Sequence, residues 1–245
     1  MKIKGFRLGN TRVFDQVPAV TTGLQLYYDP ATYSGSGTSL NDLSGNGFTG
    51  TLQNIDTSNY HSHYFNYSNS NIVTPNMVAA FSSTVAVSYE LWVWPTNVGC
   101  CVAESGSSVL GAGWYDNQME VGGDAGPPWS LYSSLWAGGH FTPPYPPSPN
   151  ITSGNWFQLV LTYDGTTGTG YVNGVAQGYT ASFFRQAPWQ FGYGYWLNFG
   201  AASNTSLYSN NNWSGAIGII RAYNRGLSSA EVLQNYNATR GIYGI

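Results

Sequence analysis

The stretch NWFQLVLTYDGTTGTGYVNGV, residues 155–175, decides the fold. Phe157, Leu159 and Leu161 alternate with Gln158, Val160 and Thr162, the period of two that puts successive side chains on opposite faces of a strand. Asp164-Gly165 then turns the chain. A second strand-like run follows, and Asn173-Gly174 separates it from a third. Asn-Gly between two such runs is the strongest short-range hairpin signal, because the tight turn needs positive φ at both central positions.

The same grammar extends outward in both directions. In GLQLYYD, residues 23–29, Leu24, Leu26 and Tyr28 face one way and Gln25 and Tyr27 the other. The run from Thr84 to Pro95 mixes β-branched and aromatic residues and stops at a proline. Short alternating runs broken by turn residues predict an all-β fold, a two-sheet antiparallel sandwich in a chain of 245 residues that can form one domain. One segment reads as helix. Ser228-Ser229-Ala230-Glu231 is a capping box with Ser228 as N-cap, Val232, Leu233 and Tyr236 follow at helical spacing, and Gly241 closes it. The short helix must dock on the sandwich to be stable, through Leu233 and Tyr236. Residues 1–22 are set apart as an N-terminal arm, and residues 23–245 as the sandwich. The arm holds Lys2, Lys4, Arg7 and Arg12, four of the eight Lys and Arg, with large apolar groups including Phe6 and Phe14. It reads as an interaction arm or as a solvated end.

Only 8% of residues are charged, against roughly 25% in an average protein. Asn, Ser, Thr, Gly and Tyr take their place. A net charge of −3 gives no footprint for nucleic acid, which needs clustered cations. No run approaches the ~20 apolar residues of a membrane span, so no membrane insertion is expected. The opening MKIKGFRLGNTRVFDQ has no apolar run of a signal peptide. The expectation is synthesis in a cytoplasm without ordinary secretion. Cys100 and Cys101 are adjacent, so a bridge between them would be strained and buried free thiols are expected.

Four segments carry a resemblance. GLQLYYDPATYSGSGTSLNDLSGNGFTGTL, SYELWVWP, NWFQLVLTYDGTTGTGYVNGV and WSGAIGIIRAYNRGLSSAEVLQNYNATRGIYGI occur in the order of the laminin-G-like jelly-roll domains of the concanavalin A-like lectin/glucanase superfamily. The second resembles that family's central strand, with its Glu, Trp and Pro at Glu90, Trp92 and Pro95. The last is similar to the ending of viral and phage members. The resemblance implies a concanavalin-like jelly roll and, from that ending, a virion structural protein, a capsid decoration or tail/fibre-associated domain made in a host cytoplasm. Its partners would be other virion proteins through the arm and host-surface glycans through a lectin-like domain, and a homo-oligomer is compatible with it. The alternative is a free-standing carbohydrate-binding lectin or adhesin; the third reading is a laminarinase-like glycoside hydrolase. One departure stands out: relatives often carry an acidic pair after the position of Ile217, where this chain has Gly218 and Ile219.

Hydrolysis would need two carboxylates flanking the bond, about 5–5.5 Å apart in retaining enzymes. The four glutamates are Glu90, Glu104, Glu120 and Glu231. Glu90, Glu104 and Glu231 have no acid two or four residues away; Glu120 stands four before Asp124, past two glycines. Glu90 is expected to make hydrogen bonds at a sheet edge, and the chain is not expected to be an enzyme. His61-Ser62-His63 would put two imidazoles on one strand face, a solvent-facing pair rather than a transition-metal site. For calcium, Asp29 and Asp42 bracket a Gly/Ser-rich loop of carbonyl oxygens, while the competing role of Asp42 is to cap its own turn. Glycan or protein contact is expected from Trp114, Asn117, Gln118, Trp129, Trp136 and Tyr145. Their stretch, residues 111–149, combines rings for stacking with amides, joined by Asn150, and ends in a proline-rigid loop from Thr142 to Asn150. The same aromatics would also serve a core or a subunit interface.

Overall fold

The structure, a computed structural model, describes residues 17–68, 70–81, 84–96, 151–182, 197–200 and 213–245, with backbone alone for residue 78 and residues 178–182. It also describes the backbone of strands β1 (Arg7–Leu8), β2 (Thr11–Arg12), β9 (Ser107–Ala112), β10 (Asn117–Gly122), β11 (Ser130–Leu135) and β12 (Gly139–Phe141).

Two antiparallel sheets form the sandwich. The first joins β3 (Leu24–Tyr28), β6 (Phe65–Ser68), β8 (Val87–Pro95), β13 (Phe157–Tyr163), β14 (Thr167–Val172), β15 (Val175–Ser182) and β17 (Ser214–Tyr223). Its order is β15-β14-β13-β8-β17-β3, with β6 also paired to β17. The second runs β12-β11-β10-β9-β16-β7-β5-β4, where β4 is Ser39–Leu40, β5 is Gly50–Gln53, β7 is Asn71–Val73 and β16 is Asn198–Phe199. Between the sheets lies a core that includes Leu26, Tyr28, Leu52, Phe65, Ile72, Leu91, Leu159, Phe199 and Ile217.

The hairpin takes the expected form. Val172 pairs with Val175 across a turn in which Asn173 and Gly174 have φ of 51° and 77°, the two positive values that an Asn-Gly turn supplies. At the preceding reversal, the Asp164 carboxylate accepts from the backbone N–H groups of Thr166 and Thr167. These bonds hold its pKa below the ordinary carboxylate value.

Strands β8 and β13 are buried on both faces. Tyr89, Leu91 and Val93 enter the inter-sheet core. The alternate residues are covered by the helix α2 (Ser229–Thr239), which follows the one-turn helix α1 (Val78–Phe81) in chain order, and by the 3₁₀ turn Arg240–Tyr243. Helix α2 starts with the expected capping box: Ser228 Oγ accepts from the Glu231 N–H, and the Glu231 carboxylate accepts from the Ser228 N–H. Its docking face differs from the expectation. Val232, Asn235 and Thr239 are buried and Tyr236 is half-buried, while Leu233 is 46% exposed above the Gly174 turn. The reason is the polar patch beneath the helix, which takes an amide at position 235 rather than a leucine.

The end of the arm is tied to α2 and β17. The Pro18 carbonyl accepts from Gln234 Nε2 (2.7 Å), the Val20 N–H donates to Asn235 Oδ1 (2.7 Å), and Tyr223 Oη donates to the Val20 carbonyl (3.1 Å). Of the arm residues singled out above, Lys2, Lys4, Phe6 and Phe14 lie outside the described residues. Arg7 and Arg12 are described by backbone alone, paired across β1–β2.

Candidate carbohydrate-binding surface

The outward residues of β8 change character in order: Ser88, Glu90, Trp92, Trp94. Ser88 Oγ donates to the Arg225 carbonyl and accepts from the Leu227 N–H, fixing the approach to α2. Glu90 is fully buried. Its Oε1 accepts from Arg221 Nη1 (2.9 Å) and Gln158 Nε2 (2.9 Å), and its Oε2 from Asn235 Nδ2 (2.7 Å). It is therefore not the sheet-edge residue expected from sequence: β8 lies between β13 and β17, and the carboxylate is the hub of a closed polar network. Burial opposes the charge on Arg221, but Glu90 beside it raises the arginine pKa above its ordinary value. Glu231 is engaged as well, by Arg225 at 2.6 Å. Neither glutamate is free to act as an acid, base or nucleophile. Glu104 lies outside the described residues, and the side chain of Glu120, on β10, is not described.

Trp92 is the buried base of an aromatic cluster. The Tyr243 ring stacks on it with centroids 4.4 Å apart, and Tyr236 lies 5.9 Å away. The Trp92 indole N–H donates to Thr239 Oγ1. Tyr243 is fixed at both sides of its hydroxyl, which accepts from the Ile219 N–H (2.7 Å) and donates to the His63 carbonyl (3.2 Å). Burial raises its pKa well above the ordinary phenol value, so that proton stays available for His63. Gly218 makes this possible, since a Cβ there would lie 2.2 Å from the Tyr243 oxygen. The space beside Gly218 is thus filled from the C-terminal turn.

Outside this base stand three half-buried rings. Trp156 is 4.4 Å from Tyr243, 5.4 Å from Tyr64 and 5.7 Å from Trp94, centroid to centroid. Its plane meets those of Tyr64 and Trp94 at 61° and 64°. Neutral residues stand beside the rings along the chain, Thr96 two beyond Trp94 and Asn155 next to Trp156. Thr96 Oγ1 and Ser214 Oγ lie 3.2 Å apart, and Asn155 Nδ2 donates to Thr152 Oγ1. The Gly154 N–H bonds to the Pro95 carbonyl and holds this turn against the end of β8. Sequence reasoning missed the cluster because its members come from three distant segments. The one local signal was the alternation of Glu90, Trp92 and Trp94.

The other candidate residues fall elsewhere. Trp114, Trp129, Trp136 and Tyr145 lie outside the described residues, as do Asn150, Cys100 and Cys101. Asn117 and Gln118 open β10, opposite Leu135 and Ser134 of β11, and their side chains are not described. Both oxygens of Asp42 are occupied: the Tyr27 and Ser44 N–H groups bond to Oδ1, the Phe48 N–H and Ser44 Oγ to Oδ2. Asp29 accepts from the Ala31 N–H, and both its oxygens contact His63 Nδ1 at 2.8 and 2.9 Å. Asp29 and Asp42 each cap their own turn, the role that competes with calcium. His61 and His63 do not share a strand face. Residues 60–62 form a 3₁₀ turn, His63 adopts a left-handed backbone with φ of 63°, and His61 packs on Tyr60.

A family model of the concanavalin A-like lectin/glucanases superfamily, laminin G type, matches residues 66–233. The chain belongs to this superfamily. No curated protein sequence matches it. Among solved structures, domain 4 of AbnA, a GH43 extracellular arabinanase from Geobacillus stearothermophilus in complex with arabinotriose, superposes with a TM-score of 0.60 at 18% identity. That match covers 87% of this chain and 98% of the other. The Trypanosoma rangeli sialidase in complex with sialic acid gives 0.65 at 17% identity, over 93% of this chain and 35% of the sialidase. A structure of botulinum neurotoxin type C, whose cell entry depends on two ganglioside molecules, gives 0.57 at 10% identity, covering 89% and 51%. At these identities the likeness is one of fold.

Proposed function

We propose that this chain is a non-catalytic carbohydrate-binding protein. The observation that carries this reading is the partly open ring cluster Tyr64–Trp94–Trp156, set among hydroxyls and amides on a face where Glu90, the acid of the central strand, is locked to Arg221. A sugar offers C–H groups to stack on a ring and hydroxyls to meet neutral donors and acceptors, and this composition suits both. Solved structures of the same fold that contain arabinotriose or sialic acid support the reading. Binding on a glycan array, with no reducing sugar released from laminarin, agar, carrageenan or alginate, is the expected result. Turnover that disappears in Glu120→Gln would refute the non-catalytic assignment.

Within that reading we assign the domain to a virion, as a capsid decoration or a tail/fibre-associated protein. The support is the arm, in which cations and large apolar residues precede the point where Pro18 joins the sandwich. Ordering such a segment costs on the order of 1–2 kcal/mol per residue, which calls for an extensive partner surface. A chain lacking residues 2–16 should keep the circular-dichroism spectrum of the intact protein and fail to enter particles. Normal incorporation would favour a free-standing lectin.

A further inference from the structure

Resting on the glycan-binding reading, we propose that the Tyr64–Trp94–Trp156 cluster is the site for a single neutral glycan chain, with a sugar face laid on Trp156. Three features of the cluster point to this ligand.

The first is the angle between rings. A coplanar row of aromatic rings makes a flat platform that suits the surface of a packed, insoluble polymer. Here the Tyr64 and Trp94 planes are turned 61° and 64° from Trp156. The three rings therefore share no flat face on which a sheet of packed chains could lie.

The second is charge. The ionised groups behind the cluster are already matched: Arg221 is buried with Glu90, and the Asp29 carboxylate meets the His63 ring. Arg240 lies over the Tyr236 ring at 5.7 Å, with the Trp92–Tyr243 stack between that ring and Trp156. A sialylated or sulfated glycan would therefore bring its anion to a place without an unmatched cation among the described residues, and burying an unpaired charge is strongly unfavourable. A neutral sugar needs only hydroxyl and amide partners. Thr96, two residues beyond Trp94 and bonded to Ser214, and Asn155, next to Trp156 and bonded to Thr152, offer such groups.

The third is rigidity. Trp156 rests on Tyr243, whose hydroxyl is tied to the Ile219 N–H and the His63 carbonyl. A floor already held in place loses little freedom when a sugar settles on it, which favours binding.

The test uses the full chain on an array of neutral, sialylated and sulfated oligosaccharides, followed by titration with the best neutral ligand. The expected result is binding to neutral glycans, a ligand-dependent change in tryptophan fluorescence, and little retention on insoluble cellulose or chitin. Trp156→Ala and Trp94→Ala should each weaken binding about tenfold or more. Trp156→Phe, which keeps a ring against Tyr243, should be weakened less and guards against simple misfolding. Wild-type binding to neutral glycans that persists in folded Trp156→Ala and Trp94→Ala would overturn this site and leave the glycan-binding reading standing. Binding restricted to acidic glycans, or strong retention on the insoluble polymers, would overturn the ligand class. A wild-type chain that binds no glycan would remove both.

Discussion

Glu90 is the residue whose loss should be felt most, and the size of the loss follows from its three donors. Glu90→Ala leaves Arg221, with 3% of its side chain exposed, as an unpaired buried cation. Breaking a buried pair in this way costs about 3–5 kcal/mol. Gln158 loses its amide acceptor while its carbonyl oxygen already lacks a partner among the described residues, whereas Asn235 still has the Tyr223 hydroxyl. One further unmade bond adds about 1 kcal/mol, giving a total of about 4–6 kcal/mol. For a domain of this size each kcal/mol moves the melting temperature by roughly 2–4 °C, so a fall of about 8–24 °C is expected. Removing both charges together, as Glu90→Leu with Arg221→Met, should cost far less than the two single changes combined, because hydrophobic replacement of a buried pair is often neutral. Urea unfolding followed by tryptophan fluorescence would measure all four corners of the cycle. A Glu90→Ala loss below about 1 kcal/mol, or strict additivity in the double variant, would refute the network as the anchor of α2.

Three other outcomes are expected. Glu231 has its carboxyl lowered from 4.5 to about 2, first by the Arg225 hydrogen bond and then by the cap contacts of Ser228. A lowered acid stabilises the fold fully above its unfolded value and loses that contribution as pH falls toward its folded one. The stability gap between wild type and Glu231→Gln should therefore be about 1 kcal/mol near neutrality, allowing for solvent screening, and should close between about pH 5 and pH 2 in chemical unfolding. Gly218→Ala should cost about 1–3 kcal/mol by driving a methyl into the Tyr243 hydroxyl, with a loss of near-ultraviolet circular dichroism from the ring stack. Asp42→Ala should lower stability by about 2 kcal/mol through its unmade cap bonds. Calcium or chelator should leave the wild-type melting temperature unchanged, and a clear calcium-dependent rise would favour the metal reading.

The features that were legible in the sequence are those decided by neighbours along the chain. Asn173-Gly174 meets a backbone demand within the turn itself, and Ser228 and Glu231 satisfy each other three residues apart. The misplaced residues depend on distant partners. Glu90 looked like an edge group because an acid in a strand usually faces water, and its match lies 131 residues away at Arg221. Leu233 followed helical spacing, yet the surface below α2 is the amide-seeking Glu90 network, so Asn235 took the buried place. The histidine pair read as a strand because alternation was the only available guide. The turn at Tyr60 is instead accompanied by edge-on packing of that ring against Tyr33. The aromatic cluster joins Tyr64, Trp94 and Trp156, and no single window of sequence contains them.

The attachment of Pro18 and Val20 to α2 has a mechanical meaning. A pull on the N-terminus would reach these residues before it reached β3, which lies at the end of its sheet. The load would be shared between Gln234, Asn235 and Tyr223, and Asn235 passes it to Glu90 on β8, in the middle of the sheet. Several hydrogen bonds would then have to yield together in shear before β3 could be unzipped one rung at a time. A domain tethered by its first residues, and tugged through whatever it grips, would be strain-relieved at its root.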